Sequence, residues 1–164
     1  MIRAYLTAFQ IGVVAGMRSM MAPALVSHKL STITPKPLSG STLQFMTSPK
    51  TATTLAILAG GELIGDKLPN APDRTGWPQI LGRLASGALS GAALAQADGH
   101  LPEYGGLAGA LGAAVGSFTF FHLRHWLTHE KNLPDPLIAL TEDALAFGAG
   151  LLIIKGPDAV STAS

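Results

Sequence analysis

Residues 60–75 read GGELIGDKLPNAPDRT, an apolar run that ends in five charges and two prolines. Glu62 and Asp66 are four apart, which puts both carboxylates on one helix face with Lys67 beside them. Pro69 stops that helix, and Asn70 and Asp73 suit a tight polar turn through side-chain bonds to nearby backbone. Directly after the turn the chain turns apolar again in GRLASGALSGAALA, residues 82–95. Two greasy helices joined by a short charged corner set the pattern to be sought elsewhere.

The whole chain fits it. Of 164 residues, 48% are hydrophobic, only 6% are aromatic and 13% are charged, and the mean hydropathy is +0.36. Ordinary soluble domains carry about 25% charge, so the balance points to a membrane protein, with a soluble helical bundle as the alternative. The apolar content comes mostly from Ala, Leu, Ile and Gly, a mixture suited to close helix contact in lipid. Cysteine is absent, which excludes a disulfide framework and thiolate chemistry. A net charge of +1 gives no case for nucleic acid. The length allows one domain.

Apolar segments recur at 4–26, 52–68, 79–97, 104–123 and 135–155. Each approaches the roughly 20 residues that cross a hydrocarbon core, and Pro, Gly and Asn crowd the segments between them. The expected fold is therefore all-α: a polytopic integral membrane bundle of five transmembrane helices in a single domain, 1–164. The first segment, with Arg3 ahead of it and Ala22-Pro23-Ala24 within it, has the outline of a signal peptide; it is read as a retained span. Arg18 and Pro23 interrupt that span and the second is short, so either is open to being broken or re-entrant. Near the span ends, Arg3, Lys67, Arg74, Arg83, Arg124 and Lys131 fall on one side and Lys29, Lys36, Lys50 and Lys155 on the other. Six against four favours a cytoplasmic N-terminus and an external C-terminus, in a plasma membrane such as the bacterial inner membrane.

Gly87 and Gly91, with Ser86 and Ser90 beside them, form a small-xxx-small face on span three, and GGLAGALGAAVG repeats it on span four. Such faces let helix backbones approach closely, either within one chain or across a homodimer. An internal repeat is also expected. IGVVAG at 11–16 resembles LGAAVG at 111–116, and each is followed by an apolar helix carrying a Glu, Glu62 or Glu142. Spans 1–2 and 4–5 would then be an inverted pair, as in transporters whose sites lie at the midplane.

Glu62, Glu142 and Arg18 each lie close to the middle of a span, so an acidic and basic group meet across only about 10 Å of depth. Ionisable groups inside a membrane are costly and usually face one another or a wet cavity. Asp143 follows Glu142 at about 100° around the helix, so Glu142 is expected inward and Asp143 elsewhere. A buried ion-pair lock that only specifies packing is the plainer alternative. Lys67, Arg74 and Arg83 would line one membrane face, as a positive-inside signal or as an anion and phospholipid-headgroup site.

His122, His125 and His129 share one helical face, and Glu130 or Asp135 could complete a zinc shell with them. The Glu of an H-E-x-x-H metalloprotease is missing, and an interfacial His/Trp face is the alternative. No P-loop is present, Ser19 has no base visible in the sequence, and nothing calls for a cofactor.

GMRSMMAPAL, GELIGDKLPNAPDRT, GRLASGALSGAAL and TEDALAFGAGLLI together resemble the membrane-protein family called domain of unknown function 4126. The resemblance covers nearly the whole chain and brings no activity. It implies a small polytopic protein whose motif-matching positions are Arg18, Glu62, Asp66, Lys67, Pro69, Arg74, Arg83, Glu142 and Asp143. Three functions remain in view. The first is a permease for an ion or small polar solute, with Arg18, Glu62, Asp66, Glu142 and Asp143 at its site and membrane lipid around it. The second is a membrane enzyme or binding protein acting on a lipid phosphate through Lys67, Arg74 and Arg83. The third is a structural membrane subunit.

Overall fold

The computed structural model describes residues 2–65, 77–131 and 134–156, and within them all regular secondary structure is helical. Six α-helices succeed one another: α1 (Ile2–Met17), α2 (Met21–Thr32), α3 (Pro49–Gly65), α4 (Trp77–Ala97), α5 (Pro102–His129) and α6 (Asp135–Lys155). A 3-10 turn at Gln44–Thr47 lies between α2 and α3. The expected all-α class holds, with α6 at its expected bounds. Local chemistry explains the ends. Pro49 and Pro102 open α3 and α5 at the first helical position, where a missing N–H costs nothing. Past the end of α4, Gly99 adopts φ +75°, and the N–H groups of Gly99 and His100 donate to the Gln96 and Ala95 carbonyls at 3.0 and 2.8 Å. That pair of bonds is a Schellman stop, and the left-handed residue it needs is glycine.

The first expected span is not one helix. α1 ends at Met17, and after Arg18, Ser19 and Met20 the chain turns back as α2. Val14 and Leu25 both pack at Gly150, although along a continuous helix eleven residues would separate them by about 16 Å. The loop beyond α2 lies beside the far end of α4, where the Ser41 hydroxyl donates to Gln96 at 2.8 Å. The interruption expected at Arg18 and Pro23 is thus a reversal. Pro23 sits in the first turn of α2, where its missing N–H is tolerated and no kink results.

Direction along the remaining helices follows from paired contacts. α1 and α5 run parallel: Tyr5 meets Tyr104 edge-on at 6.1 Å between ring centroids, while Gly12 lies against Gly109 and Gly16 against Gly116. α4 runs antiparallel to α5, with Gly87 against Gly109 and Gly91 against Gly105. These observations correct two expectations and decide between the two readings of the span-three glycines. The first and fourth spans point the same way, so spans 1–2 and 4–5 are not an inverted repeat. Gly87 and Gly91 are buried against α5 of the same chain and offer no homodimer seam. The start of α1 and the end of α6 lie at one end of the bundle, so Arg3 joins Lys29, Lys36, Lys50 and Lys155 there and the six-against-four grouping dissolves.

At the centre, α1, α4 and α5 approach until backbone touches backbone. A Cβ built on Gly12, Gly87 or Gly109 would run into a carbonyl of the facing helix, as would one on Gly112 or Gly116. Around this core the outer surface is apolar, with Ile57 and Ile64 of α3, Leu107 and Leu111 of α5 and Leu140 and Leu152 of α6 all exposed. Among the described residues two helices, α5 and residues Pro136–Lys155 of α6, are long and apolar enough to cross a membrane. The others fall short for physical reasons: α1 and α3 have 16 and 17 residues, and α4 is built from Gly, Ala and Ser where large apolar side chains would raise its hydropathy.

Gly109→Ala is expected to destabilise the protein by about 1–3 kcal/mol, the usual cost of added volume in a packed interior. Gly61→Ala, where an added Cβ meets nothing, should be neutral or slightly stabilising. Thermal denaturation of the two purified variants reads the difference, and equal melting temperatures would remove the close-contact account.

Candidate functional site at the helix reversal

A chain that reverses inside a packed bundle leaves carbonyls at the end of one helix and N–H groups at the start of the next. Side chains from three other helices meet them here. The Gly16 carbonyl accepts from Arg83 Nη1 at 3.0 Å and from the Ser117 hydroxyl at 3.3 Å. Glu62, near the end of α3, receives the Ser19 N–H at 2.9 Å, the Ser19 hydroxyl at 2.9 Å and the Met20 N–H at 2.8 Å. The Ser19 carbonyl accepts from the Ser86 hydroxyl at 2.5 Å. The charges also match the helix dipoles: guanidinium at the negative end of α1 and carboxylate at the positive start of α2.

Arg18, at the corner itself, is 1% exposed and its Nη2 pairs with Asp143 Oδ1 of α6. One residue back on the same helix, Glu142 Oε2 accepts from Arg124 Nη1 of α5 at 3.3 Å. Glu142 and Asp143 are 9% and 8% exposed. Expecting Glu142 inward and Asp143 elsewhere is therefore corrected: the roughly 100° between them points each at a different neighbour, Asp143 at α1 and Glu142 at α5, and both are buried. Arg83, expected at a membrane face, is 8% exposed and turned into the interior. Three guanidiniums and three carboxylates thus gather around the corner and its flank, with formal charges that cancel.

Their depth is shared. Asp143 lies two positions from Leu145, the middle of α6; Ser86 adjoins Gly87, the middle of α4; and Ser117 lies beside the midpoint of α5. The reversal removes the depth offset expected from a straight first span, because it turns α3 and α6 so that Glu62, Glu142 and Arg18 stand at one level. Beside Arg124 and Glu142, a cleft of about 200 Å³ opens between α5 and α6, walled by Phe120, Leu123, Leu127, Leu137, Ile138 and Leu145.

Asp66, Lys67 and Arg74 lie outside the described residues, as does the Asp135 side chain. His122, His125 and His129 do line up on α5, but Nδ1 of His122 sits 2.7 Å from the Phe118 carbonyl oxygen and Nδ1 of His129 lies 3.1 Å from that of His125. The His125 and His129 rings stack at 4.1 Å. Among the described residues no group of three His, Cys, Asp or Glu is placed to hold a metal ion. Sequence reasoning missed Ser19, Ser86 and Ser117 as site residues; the small-residue pattern around them signals packing and is silent on the hydroxyls.

Compared with known protein families, curated proteins and solved structures, the chain gives no match. What the site does has to be argued from its geometry.

Asp143→Leu alone should cost about 3–5 kcal/mol, since it strands the buried Arg18 charge. Arg18→Met combined with Asp143→Leu should recover most of that loss, because an apolar pair of similar volume replaces both ions. A double-mutant cycle by denaturant unfolding measures the coupling, and strictly additive losses would show that the two do not act as a pair.

Proposed function

We propose that this is a small integral membrane protein acting as a permease for an ion or small polar solute, with the helix reversal as its central site. The observation that carries the reading is a chain corner at mid-depth whose backbone is held by ionised side chains. Non-helical backbone at membrane depth is tolerated only where protein or a wet cavity satisfies it, and discontinuous helices of this kind are the usual binding elements of transporters. The apolar outer surface and the two helices of spanning length support the membrane placement. With α5 and α6 crossing, α1 and α2 form a re-entrant hairpin whose tip reaches the midplane.

In this reading Glu62 is the exchanging group. Among the described residues its carboxylate is the sole acid bonded to the corner's N–H groups, so taking up a proton or cation weakens its hold on the start of α2 and loosens the hairpin tip. Arg18–Asp143 fixes the corner to α6, and Arg124–Glu142 stands at the cleft between α5 and α6. The resemblance to a family without known activity adds no chemistry to this. Mutual cancellation of the charges favours a second reading, a packing lock in a structural subunit. A headgroup site built on Arg83 loses support, since that side chain serves the Gly16 carbonyl.

In sealed proteoliposomes under proton, cation, anion and solute gradients, Glu62→Gln is expected to cut protein-dependent flux by at least about tenfold, an electrostatic loss of roughly 1.4 kcal/mol or more, while the protein stays folded. Normal flux in that variant, or retained folding with no flux of either electrogenic or electroneutral kind in the parent, would favour the lock. Topology has its own test, made simple by the absence of cysteine. Single cysteines at Ile2 and Ser39 should react with an impermeant maleimide from the same side of the membrane. Labelling from opposite sides would restore a straight first span.

A further inference from the structure

α2 and α3 pack antiparallel without closing on each other. A groove of about 550 Å³ runs between them, with Leu25, Ala56, Ala59, Leu63 and Phe147 along its walls and His28, Ser31 and Pro49 toward one end. Basic groups gather at that end. Lys36 Nζ reaches the Ser31 carbonyl at 2.5 Å, which brings its ammonium to the groove mouth and covers the negative end of α2. Lys50 follows Pro49 in the first turn of α3, a turn with no acidic residue, so the positive end of that helix faces the same mouth. From Met1 to Gly61 the chain contains no Asp or Glu at all, so neither α2 nor the loop after it brings a carboxylate to offset these charges. The far end of the groove, at Gly60 and Leu63, flanks Glu62.

We infer that this groove holds an acyl chain of an anionic phospholipid, with the lipid phosphate at the mouth between Lys36, Lys50 and His28. The shape and charge call for both parts of such a molecule. A trough walled mainly by apolar side chains, with Thr53 the polar one along the α3 wall, suits a hydrocarbon chain, and lysines at one end suit a phosphate. A zwitterionic lipid would bring its own cation to the same place and gain less. Such a lipid would wedge α3 against α2 and so stabilise the end of α3 that carries Glu62. The inference rests on the membrane placement proposed above and is independent of whether anything is transported.

The test is native mass spectrometry of the full chain, extracted from vesicles of equal phosphatidylglycerol and phosphatidylcholine content. Retention of phosphatidylglycerol over phosphatidylcholine is expected. Lys36→Gln and Lys50→Gln should each reduce that preference roughly fivefold, the usual effect of one basic residue beside anionic lipid. Ala56→Phe, which fills the trough at an exposed position, should lower retention of both lipids while membrane insertion is unchanged. Equal retention of the two lipids overturns the proposal, as does a preference that survives both lysine variants. Displacement of the lipid by glycerol phosphate lacking acyl chains would assign the mouth to free phosphate and overturn it too, and so would a second copy of the chain found in place of lipid. Protein that inserts normally and shows no lipid preference sinks this site alone. Protein recovered in the soluble fraction sinks the membrane placement and this site with it.

Discussion

Everything in this bundle answers to the backbone of one corner. Turning a chain around in an apolar interior exposes N–H and C=O groups that each cost several kcal/mol if left without partners. Here the partners come from far away in sequence: Glu62 from α3, Arg83 and Ser86 from α4, Ser117 from α5. Once those four reach the corner, the positions of three helices relative to α1 and α2 are fixed. Charge is a natural choice for two of them, because a helix start attracts carboxylate and a helix end attracts guanidinium.

The glycine contacts make this reach feasible. Ser117 has a short side chain, and its hydroxyl finds the Gly16 carbonyl only because Gly16 and Gly116 let α1 and α5 touch along their backbones. A side chain at either glycine would push the helices apart and carry Ser117 out of bonding range. The same closeness draws α4 onto α5 through Gly87, Gly91, Gly105 and Gly109, which keeps Ser86 beside the Ser19 carbonyl. Packing without bulk and polar bonding at the corner are thus one design seen from two sides, and a change in the first propagates to the second.

This coupling also explains what could be read from residues alone. Helix starts were legible to within a few residues: the second and fourth spans were expected from 52 and 104, and α3 and α5 open at Pro49 and Pro102. That Arg18, Glu62, Glu142 and Asp143 would meet polar or charged partners was legible from the cost of charge in a greasy chain. Direction was not: hydropathy stays high from residue 4 to 26 whether the chain runs on or doubles back, so the reversal left only Arg18 and Pro23 as marks. With the direction of α2 misjudged, the grouping of basic residues by side and the inverted repeat went wrong together. The likeness of IGVVAG to LGAAVG has a packing origin, since the two strings press against each other, Gly16 meeting Ala113 and Gly116, and Gly112 and Gly116 meeting Val13. The choice of Glu142 over Asp143 failed for another reason, the assumption of one pocket where α6 faces two neighbours at once.

The two ends of the molecule are built differently, and the site lies where they join. Toward the end holding the start of α1 and the end of α6, α1, α4 and α5 are glycine-packed and bury their faces. Toward the other end α5 runs on from Phe118 to His129 without burying a residue, and α6 stands off from it across the cleft that contains Arg124 and Glu142. A tightly packed half resists rearrangement because its close contacts are backbone to backbone and have no side-chain slack. A splayed half in which the described residues of α5 and α6 meet through the Arg124–Glu142 pair and apolar side chains has alternatives available. If the charges at the corner are to be reached from either side, the route from the open half needs only α5 and α6 to part, whereas the route through the packed half requires the hairpin itself to move. Two ties hold the hairpin tip to helices outside the glycine-packed core, Glu62 of α3 on the Ser19 and Met20 N–H groups and Asp143 of α6 on Arg18, and of these Glu62 is the one that bonds the corner's backbone directly.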